Sequence, residues 1–437
     1  MGSPTARGLA AAAIVTAAVL AVLAVPVGAA GAAGTADWSA AWAAGVHHPV
    51  PGNDWDGPNW SVDGFTGESV RQVVRVSVGG TTLRVRLSNR YGTQPLRLAG
   101  ASVGSSGGGA TVRSGTLRPL TFQHRSSVTV PAGAEVVSDP VRLGVAALDR
   151  LAVTFYFADG TGPATFHQGA LTTTYRATGD RRTEPGAEVF GSATSHSWYY
   201  LTGVDVSGPA PRRAGRGGSD GRDAAWGTVV AFGDSITDGH GSSPGADNRY
   251  PDQLAERLVA GGRRLGVANV GINGNKLLAD SPCYGERGLT RFHRDALGQP
   301  GVRAVVVLLG TNDIGGGGFP DFGCGASPVV TAADVVDGHR ALVRAAHRRG
   351  IQVVGLTIPP WKGAFGYDTP PNEAVRDRVN GSLRAGVGYD ALVDLDRLLA
   401  DPADPDALRP EFDAGDRLHV NDAGAELIAT AVARALR

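Results

Sequence analysis

A serine that follows a short apolar run is the clearest sign of chemistry in this chain. Ser235 comes just after residues 228–232, which predict a buried strand, and stands beside Gly233 and Asp234. A turn at the end of a strand is where an α/β protein can expose a nucleophilic hydroxyl. Because a serine hydroxyl is a weak nucleophile at neutral pH, it needs a general base, a group that orients the base, and donors that stabilise an oxyanion. The rest of the chain offers a candidate for each role.

A histidine near the end of the chain is the candidate base. The imidazole of His419 can take a proton near neutral pH and return it to a leaving group. Asp416 lies three residues earlier, and in a helical turn or a tight loop this spacing brings both side chains to one side, where the carboxylate could hold one imidazole tautomer. Asp413 and Asp422 are weaker candidates for this orienting role. Four other histidines have no acidic residue three positions earlier: His240, His293, His339 and His347.

Two further blocks could supply the oxyanion donors, and each follows another predicted strand. They are Asn269-Val270-Gly271-Ile272-Asn273-Gly274 and Gly310-Thr311-Asn312-Asp313. Together with the serine and histidine blocks, and in this order, they resemble the SGNH hydrolase superfamily, also called GDSL esterases and lipases. The resemblance covers residues 226–437 and suggests a secreted, actinobacterial-type member with an N-terminal β-sandwich.

The resemblance implies a role for each residue of the serine and histidine blocks. Ser235 would be the nucleophile, His419 the general base and Asp416 the group that orients the base. Some members replace this carboxylate with a backbone carbonyl, so Asp416 could matter less than His419. Asp234 and Asp313 are interpreted as structural neighbours that brace their loops.

The resemblance also implies an oxyanion hole. Its donors would be the backbone N–H groups of Ser235 and Gly274 and the side-chain amide of Asn312. Gly274 is preferred to Gly271 because the family places the donor glycine five residues after the asparagine of this block, here Asn269.

The fold predicted for residues 226–437 places these blocks together. Four apolar runs, at residues 228–232, 265–270, 303–309 and 351–358, alternate with helical stretches, the clearest of them at residues 332–349. This alternation predicts a doubly wound α/β domain with a parallel sheet. The resemblance implies the three-layer SGNH or flavodoxin-like type. Ligands of such sheets bind beyond the carboxyl ends of the strands. Because Ser235, Gly274 and Asn312 each follow a different strand, we expect them to meet at one edge.

The preceding part of the chain predicts a second domain. Residues 37–208 contain short alternating segments separated by Gly and Pro turns, which predict an antiparallel, jelly-roll-like β-sandwich. Gly79-Gly80 predicts a two-residue hairpin between residues 70–78 and 81–88. Residues 209–225 are predicted to be a linker. Four tryptophans near the start of this region could form a sugar-stacking platform or pack internally: Trp38, Trp42, Trp55 and Trp60.

The beginning of the chain and its charge predict an extracellular protein. Residues 1–36 combine Arg7, an apolar run and small residues, which predicts a signal peptide cleaved between residues 29 and 36. The alternative is a membrane anchor, for which the run is marginal. We expect no stable membrane insertion after cleavage. Because Lys+Arg and Asp+Glu both total 41, no charge excess indicates nucleic acid as a partner.

Export makes Cys283 and Cys324 candidates for a disulfide, with two free thiols as the alternative. No His or Cys cluster has the spacing of a zinc site, and neither a metal nor an organic cofactor is implied.

These observations predict a secreted serine esterase that works through an acyl-enzyme. Its substrate would be a small-molecule ester, a lipid or an acylated polysaccharide, and acyl groups on extracellular glycans are favoured because of the predicted export and the β-sandwich. The alternatives are an acylhydrolase of the lipase or lysophospholipase type and a carbohydrate-binding protein with an idle hydrolase domain.

Overall fold

The structure, a computed structural model, describes residues 1–2, 38–53, 57–209, 226–316 and 324–436. Nearly all of the predicted signal peptide and of the predicted linker, together with Trp55, lie outside the described residues. Asp37–Arg437 form one compact unit. In the described ranges, no helix combines the length and the apolar character needed to cross a membrane. We call residues 38–209 the β half and residues 226–436 the α/β half.

The described part of the β half consists of strands and loops. The strands are β1 (Ser39–Ala43), β2 (Glu68–Arg75), β3 (Gly80–Ser88), β4 (Leu96–Leu98), β5 (Gly100–Gly108), β6 (Thr111–Val112), β7 (Arg118–Leu120), β8 (Val128–Val130), β9 (Glu135–Val137), β10 (Val141–Val145), β11 (Arg150–Phe157), β12 (Phe166–His167), β13 (Thr174–Thr178), β14 (Thr194–Ser195), β15 (Trp198–Tyr199) and β16 (Leu201–Ser207).

These strands form two main antiparallel sheets. One sheet has the order β1-β16-β3-β10 with β9 beside β3, and the other has the order β14-β13-β2-β11-β5-β6 with β7 beside β5. One apolar cluster contains buried residues of both sheets, among them Leu83 and Val153. This shared core is typical of two sheets packed face to face. The jelly-roll-like connectivity stays a prediction.

The predicted hairpin at Gly79-Gly80 is wrong. β2 pairs with β11 and β13 in one sheet, whereas β3 pairs with β16, β10 and β9 in the other. The connecting residues cross between the sheets, and the Ser77 N–H donates to Ala41 O at 2.8 Å. A Cβ on Gly79 would lie 2.5 Å from Val145 O, so glycine here permits a close approach of two backbones. The glycine pair marks a crossing rather than a turn.

Two of the four tryptophans pack inside the β half. Trp42 and Trp60 are buried, and the Trp42 ring meets the Trp198 ring edge-on at 4.7 Å. The Arg84 guanidinium lies over the Trp38 ring, 4.4 Å from its centre. For these three residues the structure therefore favours packing over an exposed stacking platform.

The α/β half alternates strands and helices. Its strands are β17 (Gly227–Gly233), β18 (Leu265–Asn269), β19 (Val302–Leu308), β20 (Gln352–Leu356), β21 (Ala391–Val393), β22 (Ala400–Asp401) and β23 (Asp404–Leu408). Its helices are α1 (Ser235–Asp238), α2 (Tyr250–Ala260), α3 (Gly288–Asp295), α4 (Thr311–Gly315), α5 (Ala332–His347), α6 (Pro370–Ala385), α7 (Leu395–Leu398) and α8 (Asp422–Ala435), with a 3₁₀ turn at Pro410–Phe412.

The predicted parallel sheet is confirmed. Its order is β18-β17-β19-β20-β21, and every pair is parallel. Counted along the chain this is the flavodoxin-like order 2-1-3-4-5, in which the connections change direction between β17 and β19. A ligand site is expected where the strands end at this switch point. Ser235 follows β17, and Asn312 follows β19.

Apolar residues on both faces of the sheet create the layers. In β17, Val230 and Phe232 pack with residues of α3, α5 and α6, while Val229 and Ala231 pack with residues of α2 and α8. The strand is therefore buried on both faces, as parallel strands usually are. Thr331 and Asp334 form a capping box at the start of α5, which lies within the helix predicted at residues 332–349.

β1 belongs to the cores of both halves. Ala40 and Ala43 pack in the apolar cluster of the α/β half, and the Ala40 N–H donates to Thr228 Oγ1 at 3.0 Å. The Ser77 hydroxyl accepts a hydrogen bond from the Val267 N–H at 2.7 Å. The β half thus covers β18, the edge strand of the parallel sheet, and the two halves form a continuous structure.

Candidate active site

Ser235 occupies the tight turn between β17 and α1. Asp234 caps α1, and its side chain accepts a hydrogen bond from the Ile236 N–H at 3.1 Å. Burial raises the pKa of Asp234 to about 6. Ser235 is the first residue of α1, so its N–H has no acceptor within the helix. The turn thus holds the serine at the carboxyl end of β17.

The serine, histidine and aspartate predicted from the sequence lie in one hydrogen-bonded row. His419 Nε2 is 2.8 Å from Ser235 Oγ, and His419 Nδ1 is 2.6 Å from Asp416 Oδ2. All three residues stand on loops or at a helix start, and the histidine loop leads directly into α8. The ring contacts the hydroxyl through one nitrogen and the carboxylate through the other. This is the geometry that lets an imidazole receive a proton from a serine.

The surroundings of Asp416 favour its ionised form. Its partial burial opposes ionisation, but the hydrogen bond and charge of His419 and the N–H groups of Leu418 and His419 hold the pKa of this carboxyl well below its usual range. The two backbone bonds measure 3.0 and 2.9 Å. A carboxylate held in this way fixes the orientation of the imidazole.

The loop after β18 presents Gly274 beside the serine turn. Gly274 has a φ of +67°, and a Cβ there would lie 2.4 Å from the ring of Tyr284. The N–H groups of Gly274 and Ser235 donate to no other group in the described part of the chain. By contrast, the Gly271 N–H donates to Asn269 Oδ1 at 3.0 Å. Gly274 is therefore the better placed of the two glycines for an oxyanion.

Asn312 stands at the start of α4, across the switch point from Ser235. Its Nδ2 donates to Asn275 O at 3.0 Å, and its Oδ1 accepts from the Tyr367 hydroxyl at 2.6 Å. These two bonds fix which end of the amide carries the N–H groups. Since Nδ2 has two hydrogens and Asn275 takes one, the other is available to a ligand.

The acidic neighbours of the site brace loops, as predicted. Asp313 accepts from the N–H groups of Leu277 and Leu278 at 2.6 and 2.8 Å, and burial raises its pKa. These bonds join the α4 start to the segment after Gly274. The carboxylate therefore helps to keep two of the donor loops together.

The alternative histidines and aspartates have other surroundings. His339 is buried between Tyr389 and Leu309, and burial lowers its pKa to about 4. His347 pairs with Asp390 at 3.0 Å, and His293 is exposed. Asp413 and Asp422 accept backbone N–H groups of neighbouring loops. Of the four alternative histidines only His240 lies at the site, with its ring centre 4.3 Å from that of His419.

The β half reaches the site as well. His167 Nε2 lies 3.1 Å from Asp238 Oδ1 at the end of α1, and both side chains are almost fully buried. Asp238 Oδ2 accepts from the Asn273 N–H at 3.2 Å, next to Gly274. A Cβ on Gly169 would lie 2.9 Å from the Asn273 amide. The β half therefore supports the donor loop from behind, a contact that sequence reasoning missed.

The disulfide expected from the sequence is present in the structure. Cys283 and Cys324 are bonded, with their Cα atoms 5.2 Å apart. Cys283 is adjacent to Tyr284, whose ring covers Gly274. The bond thus anchors the wall of the site. Residues 317–323 of the neighbouring loop lie outside the described residues.

In the part of the chain that the structure describes, two groups of side chains have ligand atoms close enough to share a metal ion. His240, Asp416 and His419 offer such atoms within 4.8 Å of one another, and so do Glu373, Asp377 and Asp406. In the first group the atoms of Asp416 and His419 already bind one another in the hydrogen-bonded row.

Sequence reasoning missed two residues that position the donors. Tyr367 orients the Asn312 amide, and Arg291 binds carbonyl groups beneath the site. No local pattern marks Tyr367, because its contact with Asn312 joins distant segments. Arg291 stands next to Phe292 in a short helix and four residues before Asp295, which is a weak sign of a buried, paired arginine.

Comparison with known protein families finds a match in the α/β half. Residues 231–427 match the GDSL-like Lipase/Acylhydrolase family. No curated protein matches the chain.

Solved structures are similar over the α/β half. A lipase/acylhydrolase from Enterococcus faecalis is 21% identical over 48% of this chain and 94% of its own, with a TM-score of 0.35. The acetyl xylan esterase AlAXEase is 22% identical over 48% of this chain and 100% of its own, with a TM-score of 0.36. A GDSL-like lipase from Bacteroides thetaiotaomicron is 14% identical over 51% of this chain and 92% of its own, with a TM-score of 0.33.

Proposed function

We propose that the protein is a serine esterase that hydrolyses carboxylic esters through an acyl-enzyme, because residues 231–427 match the GDSL-like Lipase/Acylhydrolase family. The observation that carries the proposal is the row in which His419 Nε2 lies 2.8 Å from Ser235 Oγ and His419 Nδ1 lies 2.6 Å from Asp416. A nucleophile, its base and the orienting group are within hydrogen-bond distance of one another.

The first half of the reaction forms the acyl-enzyme. Ser235 Oγ attacks the ester carbonyl carbon while His419 Nε2 takes the hydroxyl proton. The carbonyl oxygen becomes an oxyanion, which the N–H groups of Ser235 and Gly274 and the amide of Asn312 stabilise. When the bond to the alkoxy oxygen breaks, His419 gives its proton to that oxygen and the alcohol leaves.

The second half releases the acid. Water attacks the acyl carbon and gives a proton to His419, and a second oxyanion forms at the same donors. The bond to Ser235 Oγ then breaks, and the serine recovers its proton from His419. Asp416 stays ionised throughout and stabilises the imidazolium that forms twice per turnover.

Ser235→Ala tests the assignment directly. The variant removes one oxygen atom from a turn whose other contacts are made by Asp234, so it should fold normally. We expect hydrolysis of p-nitrophenyl acetate to fall by at least about 10³-fold, with an unchanged circular dichroism spectrum. Wild-type turnover in the folded variant would refute the proposal. Ser242→Ala, at a nearby buried serine on the same segment, is the matched control and should retain activity.

For the substrate, we propose acyl groups on extracellular glycans. The support is the predicted signal peptide in residues 1–36, because an exported esterase meets polysaccharide esters. The competing proposal is an acylhydrolase of lipids or lysophospholipids. Both substrate classes would use the same row of side chains.

A chain-length series separates the two substrate classes. We expect kcat/KM to be highest for p-nitrophenyl acetate and to fall from butyrate to octanoate and palmitate, and we expect acetate release from acetylated xylan. A rise of kcat/KM with acyl length, together with release of fatty acid from lysophosphatidylcholine, would favour the lipid acylhydrolase. Ser235→Ala assayed on each substrate assigns the activity to this site.

A further inference from the structure

Arg291 is a fully buried cation beneath the candidate active site. It lies in α3, its side chain has no exposed surface, and its guanidinium stacks over the Phe232 ring at 4.2 Å. Burying a charged group is costly unless its hydrogen bonds are satisfied. The hydrogen-bond partners of Arg291 therefore indicate its role.

Those partners are the carbonyl groups where the two neighbouring strands end. One terminal nitrogen donates to Val270 O at 2.7 Å, just after β18, and the other donates to Gly233 O at 2.8 Å, at the end of β17. The Nε donates to Asn275 Oδ1 at 2.9 Å. Asp295 balances the charge at 3.3 Å. A single planar group thus joins three segments of the chain.

These contacts lie beside two of the three proposed oxyanion donors. Gly233 stands two residues before Ser235, and Asn275 directly follows Gly274. The third donor is tied through the backbone, because Asn275 O accepts the Asn312 Nδ2 hydrogen bond at 3.0 Å. One guanidinium is therefore linked, directly or through Asn275, to the segments of all three proposed donors.

We propose that Arg291 is a positioning residue that sets the spacing of the oxyanion donors. The inference rests on the proposed esterase function. Lysine cannot replace arginine here, because one ammonium nitrogen cannot reach two strand ends and an amide in the fixed planar directions of a guanidinium. The residue touches no reacting atom, so its loss should weaken stabilisation of the transition state more than binding of the ester.

Arg291→Lys tests the proposal with p-nitrophenyl acetate. A displacement of the donors by about 1 Å should lower kcat roughly 10- to 100-fold and leave KM within about twofold. Inhibition by a trifluoromethyl ketone, whose hemiketal adduct with Ser235 presents an oxyanion, should weaken by a similar factor. The acid limb of the pH profile should not move, because His419 and Asp416 keep their contacts. A kcat within twofold of the wild type would overturn the proposal.

Arg71→Lys is the matched control. Arg71 is also fully buried, stacks over a phenylalanine ring (Phe190) at 4.1 Å, and donates to the carbonyl groups of Ala110 and Glu184, both at 2.6 Å. It lies in the β half, and the groups to which it donates all belong to that half. The two variants should lose similar thermal stability, but Arg71→Lys should keep the wild-type kcat. An equal loss of kcat in both variants would overturn the proposal.

Two further variants keep the test decisive. If Arg291→Lys does not fold, Asn275→Ala removes the bond between Arg291 and the segment that holds Asn312, together with the bonds from Asn275 Nδ2 to Tyr284 O and Glu286 O. We expect a smaller fall in kcat, about 3- to 10-fold. An unchanged kcat in that variant would count against the proposal. Ser235→Ala separates the two hypotheses: if it keeps full activity the esterase assignment fails, whereas an inactive Ser235→Ala beside a fully active Arg291→Lys rejects only the role of Arg291.

Discussion

Tyr367→Phe tests how the Asn312 amide is held in place. The Tyr367 hydroxyl donates to Asn312 Oδ1 at 2.6 Å, and Asn312 Nδ2 donates to Asn275 O at 3.0 Å. Both side chains are buried, and burial raises the pKa of the tyrosine far above its usual range, so the hydroxyl stays a donor at every working pH. The substitution removes the first bond and leaves the second.

The size of the effect follows from the type of bond that is lost. A hydrogen bond between neutral groups contributes about 0.5–1.5 kcal/mol net. Because about 1.36 kcal/mol corresponds to a tenfold change in rate, kcat/KM should fall about 2- to 13-fold. Asn312→Ala removes the donor itself and should cost about 10²- to 10³-fold.

A double-mutant cycle measured with p-nitrophenyl acetate decides whether Tyr367 acts through Asn312. The four proteins are the wild type, Tyr367→Phe, Asn312→Ala and the double variant. If the hydroxyl acts only by orienting the amide, Tyr367→Phe should have no further effect once the amide is absent. An equal fall in kcat/KM in both backgrounds would refute the reasoning, since the tyrosine would then act by another route.

Three other predictions concern the charges and the crosslink. Asp416→Asn should lower kcat on the order of 10³-fold at pH 8, because the amide favours the wrong tautomer of His419, and a loss below about tenfold would contradict this role. Burial raises the pKa of Asp234 to about 6. The folded state therefore binds a proton on the Asp234 carboxyl more tightly than the unfolded state does. The stability that this proton contributes is lost as pH rises from 3.8 through about 6. In urea titrations, Asp234→Asn should have a larger unfolding free energy than the wild type at pH 7 but not at pH 4. The same difference between variant and wild type at both pH values would contradict this expectation. Replacing Cys283 and Cys324, which are 41 positions apart, by serine should cost up to about 4 kcal/mol of unfolding free energy, measured by guanidinium unfolding, and no loss would contradict the entropic argument.

The parts of the fold that sequence could predict are those set by local patterns. The helix predicted at residues 332–349 is observed as Ala332–His347, because the Thr331 cap and the apolar period are local features. The convergence of Ser235 and Asn312 also followed from sequence, since strand ends of a parallel sheet share an edge. The hairpin at Gly79-Gly80 failed because a glycine pair can mark a tight crossing as well as a turn.

The parts that sequence could not predict depend on contacts between distant segments. Arg291 stands 58 positions from Gly233, and Tyr367 stands 55 positions from Asn312. Both donate hydrogen bonds to acceptors that come within reach only after the sheet has formed. His167 is similar, because its contact with Asp238 requires the two halves to pack together. Residue type and spacing gave no direct sign of these partners.

The shared strand β1 affects how the protein can be synthesised. β1 pairs with β16 and packs on β18. The first strand described in the chain therefore cannot form its native contacts until these much later segments have been translated. Long intervals between partners slow folding and leave strand edges exposed to association with other chains. Slower translation or lower growth temperature should therefore improve the recovery of folded enzyme more than it would for a protein whose domains close one after the other.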